Sequence, residues 1–234
     1  THPSTDAQAP QGSAALTSVH RPPRPDTAGQ VDERVEQPAA EEEPPGAEQG
    51  PEWTGPASLG LLGRATRRGR FGAWEIVGEG ETFVMRNATA PHSIRYANVL
   101  PRHQVGRLAA RVEVVAPADA GKDEQTLAGV MWGYSRQGEV IGYQAAVLTP
   151  DGSVSVLERG PDGLRSRFRG PVASGPPRPR LLELVEGEGG LLLRVDGREV
   201  SDLPGLAGAD LGREVGVISI GRGTFRFHSF AADP

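Results

Sequence analysis

From Phe71 onward the chain is cut into short segments in which apolar and polar residues alternate, with almost no helical spacing of apolar groups. A period of two puts successive side chains on opposite faces of an extended strand. Between residues 107 and 115, Leu108, Ala110, Val112 and Val114 share one face, and Arg107, Arg111 and Glu113 share the other. Val154 and Val156 repeat the pattern, as do Phe225, Phe227 and a bend toward Phe230. Residue type marks Pro150-Asp151-Gly152, Pro161-Asp162-Gly163 and Asp196-Gly197 as hairpin turns between such segments. The alternation predicts strands at 72–77, 81–87, 93–99, 105–116, 126–135, 139–148, 153–159, 164–169, 180–186, 190–195, 214–221 and 224–231. So many strands with so little helix require an all-β sandwich or barrel. Residues 201–212 leave room for one short helical turn.

The first 52 residues are built differently. They hold nine prolines and no Phe, Tyr, Ile or Met. Such a stretch cannot bury enough apolar surface to offset the entropy of ordering it, so it reads as an extended or disordered Pro/Glu-rich arm. The arm carries ten acids and three arginines, a net −7 within a chain of net −5, so the remainder is near neutral. Neither part has the concentrated basic face that nucleic acid requires. Residues 53–70 form a junction, with Trp53 and the Leu59-Gly60-Leu61-Leu62 patch followed by Arg64, Arg67, Arg68 and Arg70. Residues 71–234 form the domain.

Within that domain, the run Gly142 to Leu148 followed by Asp151 to Val156 resembles the central hairpin of concanavalin A-like lectin/glucanase (LamG-like) sandwiches. Residues Leu191 to Val200, a strand, Asp-Gly and a strand, are similar to a second element of that superfamily. The run Gly212 to Ile218 followed by Phe225 to Phe230 is similar to its closing pair. The likeness covers about residues 71–232. It implies two curved antiparallel sheets in a jelly-roll arrangement, the last strand returning beside the first, and in many members a sugar-binding face. The same fold hosts enzymes, lectins and structural modules, so it implies no single task.

Little in the sequence points to catalysis. Glycoside hydrolysis needs two carboxylates on one face. The Glu-x-Asp-x-x-Glu strand of sandwich glucanases is absent, and Glu183 and Glu186, three apart, fall on opposite faces. No pair of the five histidines has metal-ligand spacing, and there is no cysteine, so no metal or cofactor is expected. Asp119, Asp123 and Glu124 share one loop and suit either calcium or solvent. Asn87-Ala88-Thr89 matches a glycosylation acceptor. The best sugar platform is aromatic: Trp132 and Tyr134, two apart, are expected on one strand face, with Tyr143 across from them and Asn98 and Gln144 to read hydroxyls. The competing reading places Trp132 in the core.

These features predict a non-catalytic structural or accessory subunit. Its sandwich and arm would dock on other proteins of a large, membrane-associated assembly. Leu16, Val19, Val31, Val35, Trp53 and the four junction arginines would be the contacts. A carbohydrate-binding module on a flexible linker is the alternative, with Trp132, Tyr134, Tyr143, Asn98 and Gln144 as its site. A sandwich glycosidase with acids from other positions is the third. No apolar run reaches the ~20 residues that span a bilayer. Arginine supplies 24 of the 25 basic residues, as in high-GC bacteria. The start at Thr1 fits removal of an export signal, and a periplasmic or cell-surface location is expected.

Overall fold

The computed structural model describes residues 57–101, 104–121, 123–170, 178–200, 206, 209–212 and 214–234. All of them lie in the second of the two units into which the chain divides, Thr1–Gln37 and Pro38–Pro234. The arm, and with it Leu16, Val19, Val31, Val35 and Trp53, lies outside the described residues.

The described chain runs β1 (Ala57–Ser58), α1 (Leu59–Ala65), β2 (Gly69–Phe71), β3 (Trp74–Glu79), β4 (Thr82–Asn87), β5 (Ile94–Val99), β6 (Arg107–Val115) and β7 (Leu127–Gln137). It continues through β8 (Val140–Leu148), β9 (Val154–Gly160), β10 (Gly163–Gly170), β11 (Arg180–Gly187), β12 (Gly190–Val195), β13 (Arg198–Glu199), β14 (Val215–Ile220) and β15 (Gly223–Asp233). All twelve predicted strands are present, with ends displaced by a few residues. The short β1, β2 and β13 and the helix α1 are additions. The helical turn anticipated within 201–212 falls mostly outside the described residues; 206 and 209–212 carry no helix.

The strands form two antiparallel sheets, one of nine strands in the order β13-β12-β11-β6-β15-β4-β3-β2 with β1 added at β15, and one of six in the order β10-β9-β8-β7-β14-β5. This is the sandwich that the resemblance implies, and its closing strand β15 pairs with β1, β4 and β6. The inward faces interlock through Trp74, Ile76, Phe83, Met85, Leu108, Val112, Val130, Trp132, Leu182, Leu184, Val217, Phe225 and Phe227, all buried. Trp74 packs on Phe225 and Phe83 on Phe227, with ring centroids 5.9 and 6.1 Å apart, within the range aromatic pairs favour.

Local chemistry explains the corners. The bend toward Phe230 is a register shift between Phe227 and Ser229, where β15 spends an extra residue, His228, against β6. Strict alternation would turn Phe230 outward; the bulge returns it to the core, where it is 4% exposed. In the β8–β9 turn, hydrogen bonds from the Thr149 hydroxyl and the Ser153 amide hold the Asp151 carboxyl below its usual range. Asn87 is 2% exposed. Its side-chain amide donates to the carbonyls of Ala90 and Gly221, and its oxygen accepts from Thr89 and Ala90. A glycosylation acceptor must be open to solvent, so this asparagine serves as a structural tie instead.

The seven-residue α1 is too short to stand alone. It is held by Leu62, fully buried in the core, with Leu59 and Leu61 packed against it. The junction patch is therefore part of the fold. Phe227→Ala should cost about 3–5 kcal/mol of stability by urea unfolding, because the nine- and six-stranded sheets cannot both close over the void.

Candidate functional site

The outward faces of the two sheets differ in chemistry. That of the nine-stranded sheet carries a web of ion pairs: Arg86 with Glu75 and Glu79, Arg107 with Glu183 and Asp233, and Arg226 with Glu113. Such pairs are half in solvent and contribute little energy each. The hydrogen bonds that the Arg107 guanidinium donates to Glu183 and to Asp233 raise its affinity for its proton, against the opposing effect of burial.

The six-stranded sheet turns outward an apolar and aromatic cluster instead. Leu127, Met131, Tyr143, Ala145, Val147, Leu157, Ile218 and Ile220 are buried in it, with Ile94, Tyr96, Tyr134, Ile141 and Leu164 packed alongside. Three tyrosines gather at one end. The Tyr96 ring lies 5.5 Å from that of Tyr134 and 6.3 Å from that of Tyr143, and the Tyr96 and Tyr134 hydroxyls are 3.3 Å apart. Asn98, two residues beyond Tyr96 on the same strand face, donates its side-chain amide to the carboxylate of Glu214. Burial pushes the Glu214 carboxyl up, and the hydrogen bond from Asn98 opposes that shift. Flat rings beside a carboxylate and an amide offer both stacking and hydroxyl recognition.

The predicted platform is therefore divided. Trp132 and Tyr134 do not share a face. Trp132 pairs with Gln144 and Ser135 with Gly142, so Gly133 and Tyr134 together oppose the single Tyr143. Gly133 takes φ +61°, a conformation glycine adopts freely, and the bulge reverses the parity of the residues beyond it. Trp132 goes to the core at 1% exposure, and its ring is closed to any ligand. Gln144, in register with it, shares the inward face, and its Oε1 is buried without a hydrogen bond. Tyr134 and Asn98 reach the outward face half-buried, where Tyr96 and Glu214 join them, and Tyr143 lies on the same face at 2% exposure, as a support beneath the other two rings. Tyr96 was legible from its two-residue offset from Asn98; Glu214 follows only from the pairing of β14 with β5.

Of the junction arginines, Arg64, Arg67, Arg68 and Arg70 are all exposed, with Arg70 3.6 Å from Glu75. The acidic loop is already occupied by a cation of the chain itself. Arg222 meets Glu124 at 2.7 and 2.8 Å and Asp119 at 3.1 Å. The hydrogen bond from Arg222 holds the Glu124 carboxyl low. A guanidinium there replaces the calcium that the loop composition allowed. Among the described residues no three acids or histidines converge as a metal site, and no helix is long and apolar enough to cross a membrane.

No protein-family model matches the chain, and no curated protein sequence matches it significantly. Among solved structures it is similar to a carbohydrate-binding module from Bacillus subtilis, at 12% identity and TM-score 0.43, over 75% of this chain and 92% of that one. It is also similar to a galectin from Caenorhabditis elegans, at 17% and 0.39, over 68% and 99%. A third is a prokaryotic β-1,3-1,4-glucanase (lichenase) from a mouse hindgut metagenome, at 11% and 0.45, over 76% and 92%.

The raised Glu214 carboxyl gives a test of the site's electrostatics. A carboxyl whose folded pKa lies above its unfolded value contributes stability below the ordinary carboxylate range and loses it as pH rises through the folded value. Glu214→Gln keeps an acceptor for Asn98 without the charge. Its melting temperature should exceed the parent's at about pH 7, and the two should converge near pH 4.

Proposed function

We propose that the domain is a non-catalytic glycan-binding module whose site is the tyrosine end of the outward six-stranded face. The observation that carries the reading is the convergence of Tyr96, Tyr134 and Tyr143 beside the Asn98–Glu214 pair. A sugar presents apolar C–H faces and a ring of hydroxyls. The half-buried rings of Tyr96 and Tyr134 suit the first, and the carboxylate, amide and phenol oxygens suit the second. Hydrolysis would need a second carboxylate across the bond. The acids weighed from the sequence are committed elsewhere: Glu183 to Arg107, Glu124 to Arg222, and Glu186 to the backbone amide of Leu211. An exported location, where polysaccharide is met, belongs to the same proposal.

A second reading, docking of the sandwich and arm on a larger protein assembly, is favoured by a separate observation. The junction arginines Arg64, Arg67, Arg68 and Arg70 are all exposed and offer a basic surface to an acidic protein partner. Recovery of the chain with other subunits in a pull-down from native membranes would support that reading, and its recovery alone would count against it.

The glycan reading is tested by titrating the full chain with a panel of oligosaccharides in a calorimeter. Tyr96→Ala and Tyr134→Ala should each weaken binding about tenfold or more, with the circular dichroism spectrum unchanged. Tyr134→Phe, which keeps the ring, should lose less. Absence of binding by the parent chain to every member of the panel would sink the reading.

A further inference from the structure

Glu214 differs from Glu183, Glu124 and Glu113 in its partner. Those three carboxylates each meet a guanidinium, of Arg107, Arg222 and Arg226 in turn. Glu214 meets the neutral side-chain amide of Asn98, and among the described residues no cation pairs with it. Burial pushes its carboxyl up, whereas contact with Arg222 holds Glu124 low. A half-buried carboxylate without a counter-charge is unfavourable until a cation reaches it.

The surroundings of this carboxylate favour a cation too. Glu214 stands just before β14, between β7 and β5. Its backbone carbonyl accepts from the Tyr134 amide at 3.5 Å, and Asn98 reaches its carboxylate from β5. The half-buried rings of Tyr134 and Tyr96, 5.5 Å apart, rise from the same two flanking strands. The faces of such rings carry partial negative charge and attract ammonium groups. Two arginines of this face are placed elsewhere. Arg159 is in register with Tyr143 on β9, three strand spacings or about 14 Å from β14. Arg136 donates to the carbonyl of Gly138 in the turn between β7 and β8.

We infer that the ligand of this site is an amino sugar with its nitrogen free and protonated, its ammonium on the Glu214 carboxylate and its ring on Tyr96 and Tyr134. The inference rests on the glycan reading and narrows it to one class of sugar. In an amino sugar the nitrogen is bonded directly to a ring carbon, so one residue makes both contacts across neighbouring strands. An ammonium brings three N–H donors and the missing positive charge, and its hydrogen bonds to a carboxylate are of the stronger, charge-assisted kind. A neutral sugar can stack on the same rings but leaves the carboxylate without its counter-charge. A uronic acid brings a second negative charge to Glu214 and is excluded.

The test is a calorimetric titration of the full chain at about pH 6, where an amine is protonated and an ordinary carboxyl ionised. The probes are glucosamine, N-acetylglucosamine and glucose oligomers of equal length. Acetylation removes the charge of the nitrogen and keeps the ring, so it isolates the contact with Glu214. The glucosamine oligomer should bind about tenfold tighter than either of the others, and added salt should narrow that margin. Glu214→Gln, which keeps an acceptor for Asn98, should reduce the margin to less than about twofold. Equal or tighter binding of the acetylated or glucose oligomer would overturn the inference and leave glycan binding standing. So would failure of all three probes while other oligosaccharides bind, or a margin that survives Glu214→Gln. Failure of every oligosaccharide would remove the glycan reading and this inference together.

Discussion

A sandwich of two sheets has four faces, and the hydrophobic effect between the layers accounts for only two of them. In this chain the six-stranded sheet is apolar on a third. Val215 to Ile220 is buried at every position, and Leu127 to Trp132 likewise. Strands covered on both sides lose the polar alternation that a solvated face imposes. That double burial sets the six-stranded sheet apart from its partner. The nine-stranded sheet, with its outward ion pairs, already satisfies its charges and needs nothing further.

The candidate site sits at a border of that apolar face. At one end the aliphatic carpet gives way to phenols, an amide and a carboxylate, which tolerate both water and a ring. The Glu214 carboxyl is held there at an electrostatic cost, since burial disfavours its charge and only Asn98 is seen to counter it. Polar groups kept at such a cost next to aromatic surface are characteristic of binding sites. Arg222 shows the opposite design: it is closed by Glu124 and Asp119 and serves to tie the β14–β15 hairpin to a loop.

The alternation of apolar residues made most of the fold legible. The strand containing Leu108, Ala110, Val112 and Val114 lies as its periodicity requires, and the Asp-Gly turns lie between the strands expected. What the sequence concealed was parity. Trp132 and Tyr134 look like neighbours on one face, but Gly133 adds a residue that β8 does not match. The same device at His228 was half visible, because an inward Phe230 demanded a bend. α1 was missed because two glycines interrupt seven residues, and its helix is made by the burial of Leu62 rather than by propensity. Glu214 was missed because its meeting with Asn98 is purely tertiary, across 116 positions.

The placement of β15 has a kinetic consequence. Residues Gly223–Asp233 fill the gap between β6 and β4, more than a hundred positions earlier in the chain. Until they are synthesised, the two halves of the nine-stranded sheet have no common strand, and the edges of β4 and β6 stay unpaired. Pairings so distant in sequence close slowly and leave sticky edges exposed meanwhile. Closure of the nine-stranded sheet should therefore be a late event in folding, set by the docking of β15.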